Sequence, residues 1–380
     1  MLKYVRYYGT HALIAATTLG LIAGGAWCWL GLAAGFVLWV GGDALSGAVT
    51  EPTPDYGHPL LLDGALYSLF PPLVVMTFTF AWALSPADIF GFGAWLGSVL
   101  EVDVLARHVD PATGHIVGAC LSFGLAMAMG GILTAHELMH RIDDPVAMWF
   151  TRWMLALAFN ATLEVAHVFG HHRDVGTPAD PATARRGETI YHFYIRSTVG
   201  QFFQAWRIER ERLRATGRGT LSWRNKVIAG LLRSAIVAGL FFLAGGGFAL
   251  TAFLAASAWN KFLLESLNYV EHYGLVRVPG TRIEPRHAWD SRSRFSHAAL
   301  FNLPWHADHH SRIGVKYPAL KRTASAPTLP FGYLAALPLV WVPPLWRRLV
   351  APRLGDWEKN RASREEQDLL ALQRNAARQR

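Results

Sequence analysis

Cysteine is almost absent from this chain of 380 residues, which contains only Cys28 and Cys120. Each of the two lies inside an apolar segment, and the sequence contains no CxxC pair. These facts exclude a disulfide framework and a cysteine-ligated iron centre within the chain. An iron–sulfur or rubredoxin-type electron carrier would therefore have to be a separate protein.

Charged side chains are also scarce, at 17% of the residues against 52% that are hydrophobic. This composition is typical of membrane proteins. The net charge of +9 does not indicate nucleic-acid binding, because Lys and Arg lie beside hydrophobic segments, and an anionic lipid surface or an acidic protein is the expected partner. Since no repeat and no soluble-domain boundary is visible, we expect one membrane domain over residues 1–380, with a peripheral tail from about residue 355.

Six apolar segments have about the 20 residues that a helix needs to cross a bilayer. They cover residues 9–27, 29–47, 65–84, 113–135, 225–244 and 248–268. Two further apolar segments, 87–101 and 331–349, are interrupted by Gly or Pro and are expected at the membrane surface. The predicted fold is an all-α, polytopic membrane bundle of about six transmembrane helices.

The basic residues predict the orientation of this bundle. Residues 85–112 contain one Arg and no Lys, whereas residues 141–224 contain twelve Arg. With six spans, the N-terminus, the histidine-rich segments and the C-terminus share one side, which the positive-inside rule makes cytoplasmic. Segment 146–163 must then lie along the membrane or dip into it. The N-terminal apolar run has no convincing cleavage site, so we expect it to be retained as the first span of an inner-membrane protein.

Nine of the sixteen histidines lie in four short clusters. They are His136, His140, His167, His171, His172, His272, His306, His309 and His310. Because helical residues four apart share a face, the pairs 136/140 and 167/171 should each aim two imidazoles in one direction, and the 306/309 pair should do likewise. A zinc ion takes four protein ligands, so nine histidines indicate two ions, and imidazole suits iron, zinc or copper.

Acidic residues near these clusters are candidates for orienting the histidine rings. They are Glu137, Glu164, Glu265, Glu271 and Asp308. Two other functions remain open at this point. The HELMH segment alone fits a zinc protease with Glu137 as the general base, but that leaves seven clustered histidines without a role. A metal transporter would place its ligands along a pathway within the spans rather than on one face.

The four motifs together resemble the bacterial membrane alkane monooxygenases, which belong to the membrane fatty-acid desaturase and hydroxylase superfamily. The motifs are HELMHR, HVFGHHRDVGTPADPATARRGE, NYVEHYGL and HADHH, at residues 136–141, 167–188, 268–275 and 306–310. The resemblance extends from about Asp43 to Tyr333 and implies a non-haem di-iron centre held by the nine histidines. Ala166, Val168 and the Pro304–Trp305 pair depart from the pattern of that family without removing a ligand.

This resemblance implies O2-dependent terminal hydroxylation of a hydrophobic hydrocarbon, with electrons from a rubredoxin or ferredoxin and its reductase. The NYVEHYG motif favours this branch over fatty-acyl desaturases. Monooxygenases that hydroxylate the methyl groups of xylenes share much of the pattern and are the first alternative. In the family a bulky residue on the second span limits the depth of the substrate tunnel. An ungapped count places Gly35 there, which predicts an open tunnel and longer or wider substrates.

Overall fold

A computed structural model describes residues 2–51, 53–107 and 112–378 of the chain. Within these ranges the secondary structure is helical, and no β-strand forms. Two isolated bridges pair Ala48 with Ser293 and Asp290 with Thr328. The predicted all-α class is confirmed.

The contacts within the chain define two compact units. The first unit comprises Met1–Leu38, Gly57–Glu164 and Leu221–Leu263, and the second comprises Trp39–Tyr56, Val165–Thr220 and Leu264–Arg380. The α-helices that begin in the first unit are Leu2–Val5, Gly9–Ala23, Leu30–Phe36, Pro59–Tyr67, Phe70–Ala83, Phe92–Leu100, Thr113–Met127, Leu133–Met139, Pro145–Leu157, Leu163–Val165 and Lys226–His272. Those that begin in the second are Gly42–Leu45, His172–Asp174, Ile190–Ala215, Arg294–Ala299, His306–Ser311, Tyr333–Val340, Pro343–Asn360 and Arg364–Arg378.

Shorter helical turns of two other kinds connect these α-helices. The 3-10 turns are Arg6–Tyr8, Gly25–Trp29, Ile89–Gly91, Leu105–Arg107, Pro285–His287 and Tyr317–Ala319. The π-helical segments are Val37–Gly41, Ala128–Ile132 and Ala166–His171. Two of the π-helices directly adjoin or contain histidine motifs, and π-turns of this kind are frequent at functional sites.

Among the residues that the structure describes, four helical segments are long and apolar enough to cross a membrane. They are Gly25–Leu45, Pro59–Ala83, Thr113–Met139 and Lys226–His272. The chain is therefore a membrane protein by the length and composition of its helices, as predicted, while the count of six spans stays a prediction. The helix Pro145–Leu157 has 13 residues, fewer than the roughly 20 that a crossing needs.

The longest helix, Lys226–His272, doubles back on itself. Gly245 and Gly246 leave the helical conformation, and Gly246 has a φ of 62°, which a glycine adopts without steric cost. On either side of this break the rings of Phe241 and Phe253 stack with centroids 4.3 Å apart. In a continuous helix twelve residues would span about 18 Å, so the two halves form a hairpin.

The predicted opening beside Gly35 is absent, and that prediction is wrong. A Cβ atom added to Gly35 would lie 2.5 Å from Cδ2 of Leu125 and 3.6 Å from Cδ1 of Leu13. The two leucine side chains therefore fill the space that the missing side chain leaves. The sequence could not reveal this filling, because it depends on residues from two other helices.

The core of the second unit is aromatic. Trp346 lies 5.7 Å from Tyr273 and 6.0 Å from Tyr269, measured between ring centroids, and all three rings are fully buried or nearly so. Trp289 donates from its indole nitrogen to the carbonyl of Tyr273 at 3.0 Å. This rigid cluster surrounds the C-terminal end of the helix that carries His272.

Candidate metal centre

Four buried histidines of the second unit bring their ring nitrogens together. They are His171, His272, His306 and His310, and one ligand nitrogen from each lies within 4.8 Å of those of the other three. The Nε2 atom of His306 is 3.0 Å from Nε2 of His272 and 3.0 Å from Nε2 of His310. Each side chain is at most 2% exposed. These residues could hold one transition-metal ion in an all-nitrogen, water-shielded site.

Asp180 fixes the orientation of the His171 ring. Its Oδ2 atom lies 2.8 Å from Nδ1 of His171 and also accepts a hydrogen bond from the Thr183 hydroxyl at 2.6 Å. Burial alone would raise the pKa of Asp180, but the hydrogen bonds that it accepts from His171, Thr183 and Ala182 lower it below its ordinary value. With Nδ1 engaged, the buried Nε2 of His171 has no hydrogen-bond partner in the described part of the chain and is available to a metal.

His272 is the last residue of the helix Lys226–His272. Its Nδ1 atom lies 3.4 Å from the backbone carbonyl oxygen of His287, which can accept a hydrogen bond from a protonated Nδ1 and leave Nε2 directed at the other histidines. In the same NYVEHYG motif, the Tyr269 hydroxyl donates to the carbonyl of Glu188 at 2.6 Å. The tyrosines of this motif thus support the position of His272.

The second histidine motif adopts a π-helix, Ala166–His171, rather than the expected α-helix. In a π-helix the hydrogen bonds join residues five apart, and the side chains shift accordingly. The Nε2 atom of His167 meets that of His172, five residues later, at 3.0 Å. His171 belongs instead to the group of four histidines. The ring centroids of His167 and His171 are nevertheless 5.2 Å apart, as the predicted i,i+4 spacing requires, although their nitrogens join different neighbours.

The fourth motif forms the short helix His306–Ser311. The Nε2 atom of His310, four residues later, lies 3.0 Å from Nε2 of His306. The ring of His309 lies 4.8 Å from that of His172 and 6.2 Å from that of His167. The rings of His306 and His309 stack with centroids 5.5 Å apart, as the predicted i,i+3 spacing requires, and His310 adds a third imidazole to this face.

The first motif lies in the first unit, at the end of the helix Leu133–Met139. The rings of His136 and His140 have centroids 5.2 Å apart, as the predicted i,i+4 spacing requires. The π-helix Ala128–Ile132 directly precedes this helix. Together with the seven histidines of the second unit, this pair accounts for all nine clustered histidines, each less than half exposed.

Two of the five acidic candidates belong to the helix Lys226–His272. Glu271 is 3% exposed, and its Oε2 atom lies 3.4 Å from Nε2 of His306. Glu265 is fully buried and accepts a hydrogen bond from the amide of Gln201 at 2.7 Å. The Glu271 carboxylate therefore lies beside the ring of His306, whereas Glu265 accepts its hydrogen bond from the Gln201 amide.

The other three acidic candidates form ion pairs with arginine. Asp308 receives a hydrogen bond from Nε of Arg312 at 2.6 Å. Glu164 binds Arg152 through two hydrogen bonds, of 2.9 and 3.0 Å. Glu137 faces the arginine four residues later, with 3.7 Å between nitrogen and oxygen. These three carboxylates stabilise the local structure by pairing with arginine side chains. The sequence alone does not distinguish this role from contact with the histidine rings.

Two buried aspartates near the centre were not among the candidates. Asp180 lies in the turn-rich loop after His172. In the sequence, only its position within the long second motif indicates that it could lie near the histidines. Asp290 is 1% exposed, and its Oδ1 atom accepts the backbone N–H of Ala307 at 2.9 Å, at the start of the helix that carries His306. Burial raises the pKa of Asp290 well above its ordinary value.

The electrostatics at His310 favour a neutral imidazole. Burial, followed by the proximity of His172 and other histidines, lowers the pKa of His310 well below its ordinary value. A neutral imidazole keeps a lone pair for a metal, whereas a protonated one has none. The convergent Nε2 atoms, the buried Nε2 of His171 and the burial of all four rings therefore fit a metal ion bound by nitrogen.

Comparisons with known proteins agree with this geometry. The fatty acid desaturase family model matches residues 112–346, which include all four histidine motifs. Alkane 1-monooxygenase 2 of Pseudomonas aeruginosa is 38% identical over 271 residues, 70% of this chain and 70% of that protein. Alkane 1-monooxygenase 1 of the same organism is 33% identical over 80% of this chain and 76% of its own length.

A further relative matches over a greater length. The xylene/toluene monooxygenase hydroxylase component of Pseudomonas putida is 29% identical over 370 residues, 96% of this chain and 93% of that protein. Its lower identity thus comes with a match that reaches nearly from end to end.

Proposed function

Since this chain belongs to the fatty acid desaturase family and, within it, to the alkane 1-monooxygenases, we propose that it hydroxylates the terminal methyl group of a hydrophobic hydrocarbon with O2. The observation that carries the proposal is the convergence of His171, His272, His306 and His310 in a buried, all-nitrogen group. An unactivated C–H bond has no leaving group, so the chemistry needs a metal rather than acid–base residues.

We propose two iron ions, with the nine clustered histidines as ligands. Iron bound there would supply the activation of O2 and the attack on the C–H bond. The chain's own groups prepare the ligands: Asp180 holds the Nδ1 proton of His171, and the carbonyl of His287 holds that of His272. Each hydrogen bond leaves Nε2 free of a proton and fixes the plane of the ring. Burial of these rings excludes water from the reaction.

The partners follow from the chemistry and composition. A hydrocarbon partitions into lipid, so a membrane enzyme can receive it from the bilayer. Hydroxylation with O2 consumes two electrons, and the chain lacks a cysteine motif for an iron–sulfur carrier. We therefore propose a separate rubredoxin or ferredoxin with its reductase, and a single catalytic domain in the bacterial inner membrane whose centre faces the cytoplasm.

A second candidate substrate is an alkylbenzene methyl group. The nearly end-to-end match to the xylene/toluene monooxygenase component favours it, whereas the higher identity to the alkane 1-monooxygenases favours an n-alkane. Both substrates present a methyl group to the same chemistry. The difference must therefore lie in the shape of the apolar site that receives the rest of the molecule.

The test is a single-turnover reaction of the full-length protein, purified anaerobically in detergent and loaded with Fe²⁺. The protein receives ¹⁸O2, a chemical electron donor and an equimolar mixture of octane, hexadecane and p-xylene. The expected result is bound iron and ¹⁸O in a primary alcohol, and the preferred hydrocarbon identifies the substrate class. A His272→Ala variant, treated identically, should form no alcohol.

Two outcomes would overturn the proposal. Unlabelled alkene in place of labelled alcohol would indicate a desaturase, which removes hydrogen without inserting oxygen. Tight binding of zinc with no oxidised product would instead favour a zinc protease or a metal transporter.

A further inference from the structure

The C-terminal segment, expected to be peripheral, reaches into the second unit. The Trp357 side chain is fully buried, and Glu366 is only 1% exposed. The indole nitrogen of Trp357 donates to the backbone carbonyl of Arg286 at 2.6 Å. Both side chains contact the same short turn, Pro285–His287.

Glu366 binds this turn through its carboxylate. Its Oε1 atom lies 2.7 Å from Nε2 of His287, and its Oε2 atom lies 3.1 Å from Nε of Arg286. The backbone N–H of Ser363 also donates to Oε2 at 2.8 Å, and the Ser363 hydroxyl accepts from the N–H of Glu366 at 3.2 Å. This reciprocal pair is a capping box, which fixes the carboxylate at the start of the helix Arg364–Arg378.

The same contacts fix the tautomer of His287. Its Nδ1 atom accepts the backbone N–H of Glu284 at 3.0 Å and so carries no proton. The ring proton must therefore be on Nε2, where it is donated to Glu366. Since both ring nitrogens are engaged, the ring of His287 is held in one orientation, and its backbone N–H donates to the carbonyl of Glu284 at 3.0 Å.

The backbone carbonyl of His287 faces the metal group. Its oxygen lies 3.4 Å from Nδ1 of His272, on the side of the ring opposite to the Nε2 atom that meets His306. The contact is long for a hydrogen bond, so a small displacement of the turn would break it. The position of the Pro285–His287 turn thus determines whether His272 keeps the tautomer and ring plane that a metal requires.

We propose that Glu366 is a positioning residue for the metal centre and that it acts through His287 on His272. The C-terminal segment thereby extends the set of groups that tune the centre, although it is distant in sequence from every histidine motif. The inference rests on the proposed function, because it takes His272 to be a metal ligand.

The test compares three variants of the full-length protein in detergent. Glu366→Ala removes the acceptor of the His287 proton, Glu366→Gln keeps an oxygen acceptor, and Glu365→Ala alters the exposed neighbour as a matched control. Each is loaded with Fe²⁺, and the rate of iron transfer to a ferrous chelator is measured. A Co²⁺-loaded sample provides the absorption spectrum of the ligand field, and the melting temperature is measured without metal.

We expect Glu366→Ala to release iron about 10-fold faster, in the range observed for partners that orient metal-bound histidines. Its Co²⁺ spectrum should change, Glu366→Gln should recover most of both properties, and Glu365→Ala should match the wild type. Trp357→Phe, which removes the donor to the turn together with part of a buried ring, should give a smaller change of the Co²⁺ spectrum in the same direction.

Two results would overturn the inference alone. One is a wild-type release rate and Co²⁺ spectrum in Glu366→Ala. The other is a lower melting temperature without metal but an unchanged Co²⁺ spectrum, which would assign Glu366 to stability only. A wild-type protein that binds no Fe²⁺ at all would instead overturn the proposed function, and this inference with it.

Discussion

At the scale of single residues, Asp180 orients the ring of His171 and acts only as a hydrogen-bond acceptor. Asp180 receives three, from Nδ1 of His171, from the hydroxyl of Thr183 and from the backbone N–H of Ala182. A carboxylate can accept from all three donors at once, whereas an amide must turn its own N–H groups towards one of them. The three donors around this position therefore require an aspartate rather than an asparagine.

Asp180→Asn is expected to weaken metal binding about 10- to 100-fold, because one donor loses its acceptor and the His171 ring is no longer held. The measurement is a competition titration of Fe²⁺ against a chelator of known affinity. Glu51→Gln, which makes the same change from carboxylate to amide at an exposed ion pair with Arg294, is the control and should bind iron as the wild type does. Equal affinities for the Asp180 and Glu51 variants would contradict the assignment.

The sequence predicts the clustered histidines but not the side chains that contact their rings. Spacing predicts the nine clustered histidines as ligands, because residues that share a metal site often leave a local pattern in the sequence. The carboxylates that contact the histidine rings leave no comparable pattern of spacing. Asp180 reaches His171 through a loop, whereas Asp308 pairs with Arg312. Whether a carboxylate meets a histidine or an arginine depends on the folded path of the chain.

At the scale of elements, the π-helix Ala166–His171 decides which histidines meet, and it packs closely. A Cβ atom added to Gly170 would lie 2.5 Å from Oε1 and 2.6 Å from Cδ of Gln204. The Gln204 amide is held by Asp174 and by the carbonyl of Ala179, at 3.3 and 3.4 Å. Only a glycine lets the π-helix approach the helix Ile190–Ala215 this closely.

Gly170→Ala is therefore expected to destabilise the protein by about 1–3 kcal/mol, the usual cost of overpacking, and to lower its iron content. Removing the obstructing side chain in Gly170→Ala/Gln204→Ala should recover part of the loss. The measurement is a double-mutant cycle of chemical denaturation, with Gln204→Ala alone completing the cycle. Strictly additive effects would show that the two side chains do not compete for one space.

The helices were easier to predict than their internal irregularities. The apolar segments gave the all-α class and the break at residues 245–247, because glycines interrupt a long hydrophobic run. A π-turn inserts one residue without changing the composition, so the periodicity of HVFGHH fits an α-helix equally well. The contacts that favour the wider turn come from other helices.

At the scale of the whole molecule, stability should depend on pH through Glu366. Arg286 and His287 face its carboxylate, and although burial opposes ionisation, their hydrogen bonds lower its pKa to about 2 from an ordinary 4.5. A carboxyl group with a lowered pKa stabilises the folded state above pH 4.5. That contribution is lost as the pH falls from 4.5 towards 2.

The wild type should therefore melt at a higher temperature than Glu366→Gln at pH 6. The difference should stay constant down to about pH 5 and vanish between pH 4.5 and 2, where the wild-type carboxylate becomes protonated. Melting curves of the metal-free protein in detergent at half-unit pH intervals provide the measurement. A difference that is unchanged at pH 2.5 would contradict this origin.

Metal removal should also destabilise the whole protein. A ligand that binds only the folded state adds about 2.7 kcal/mol when its free concentration is 100 times its dissociation constant. We expect a lower melting temperature after chelation and its recovery on addition of Fe²⁺, whereas His272→Ala should recover only in part. Identical melting curves with and without Fe²⁺ would show that the histidine groups do not bind the metal in the folded state.

The turn at Gly245 and Gly246 has a consequence for how the protein is made. The apolar halves on either side are joined without an intervening polar loop, and Phe241 already stacks on Phe253 across the turn. During synthesis neither half offers a hydrophilic stretch that could be held outside the bilayer while the other inserts. The two should therefore leave the translocon together, as one preformed hairpin, and a hydrophilic tag inserted between the glycines should block insertion of both.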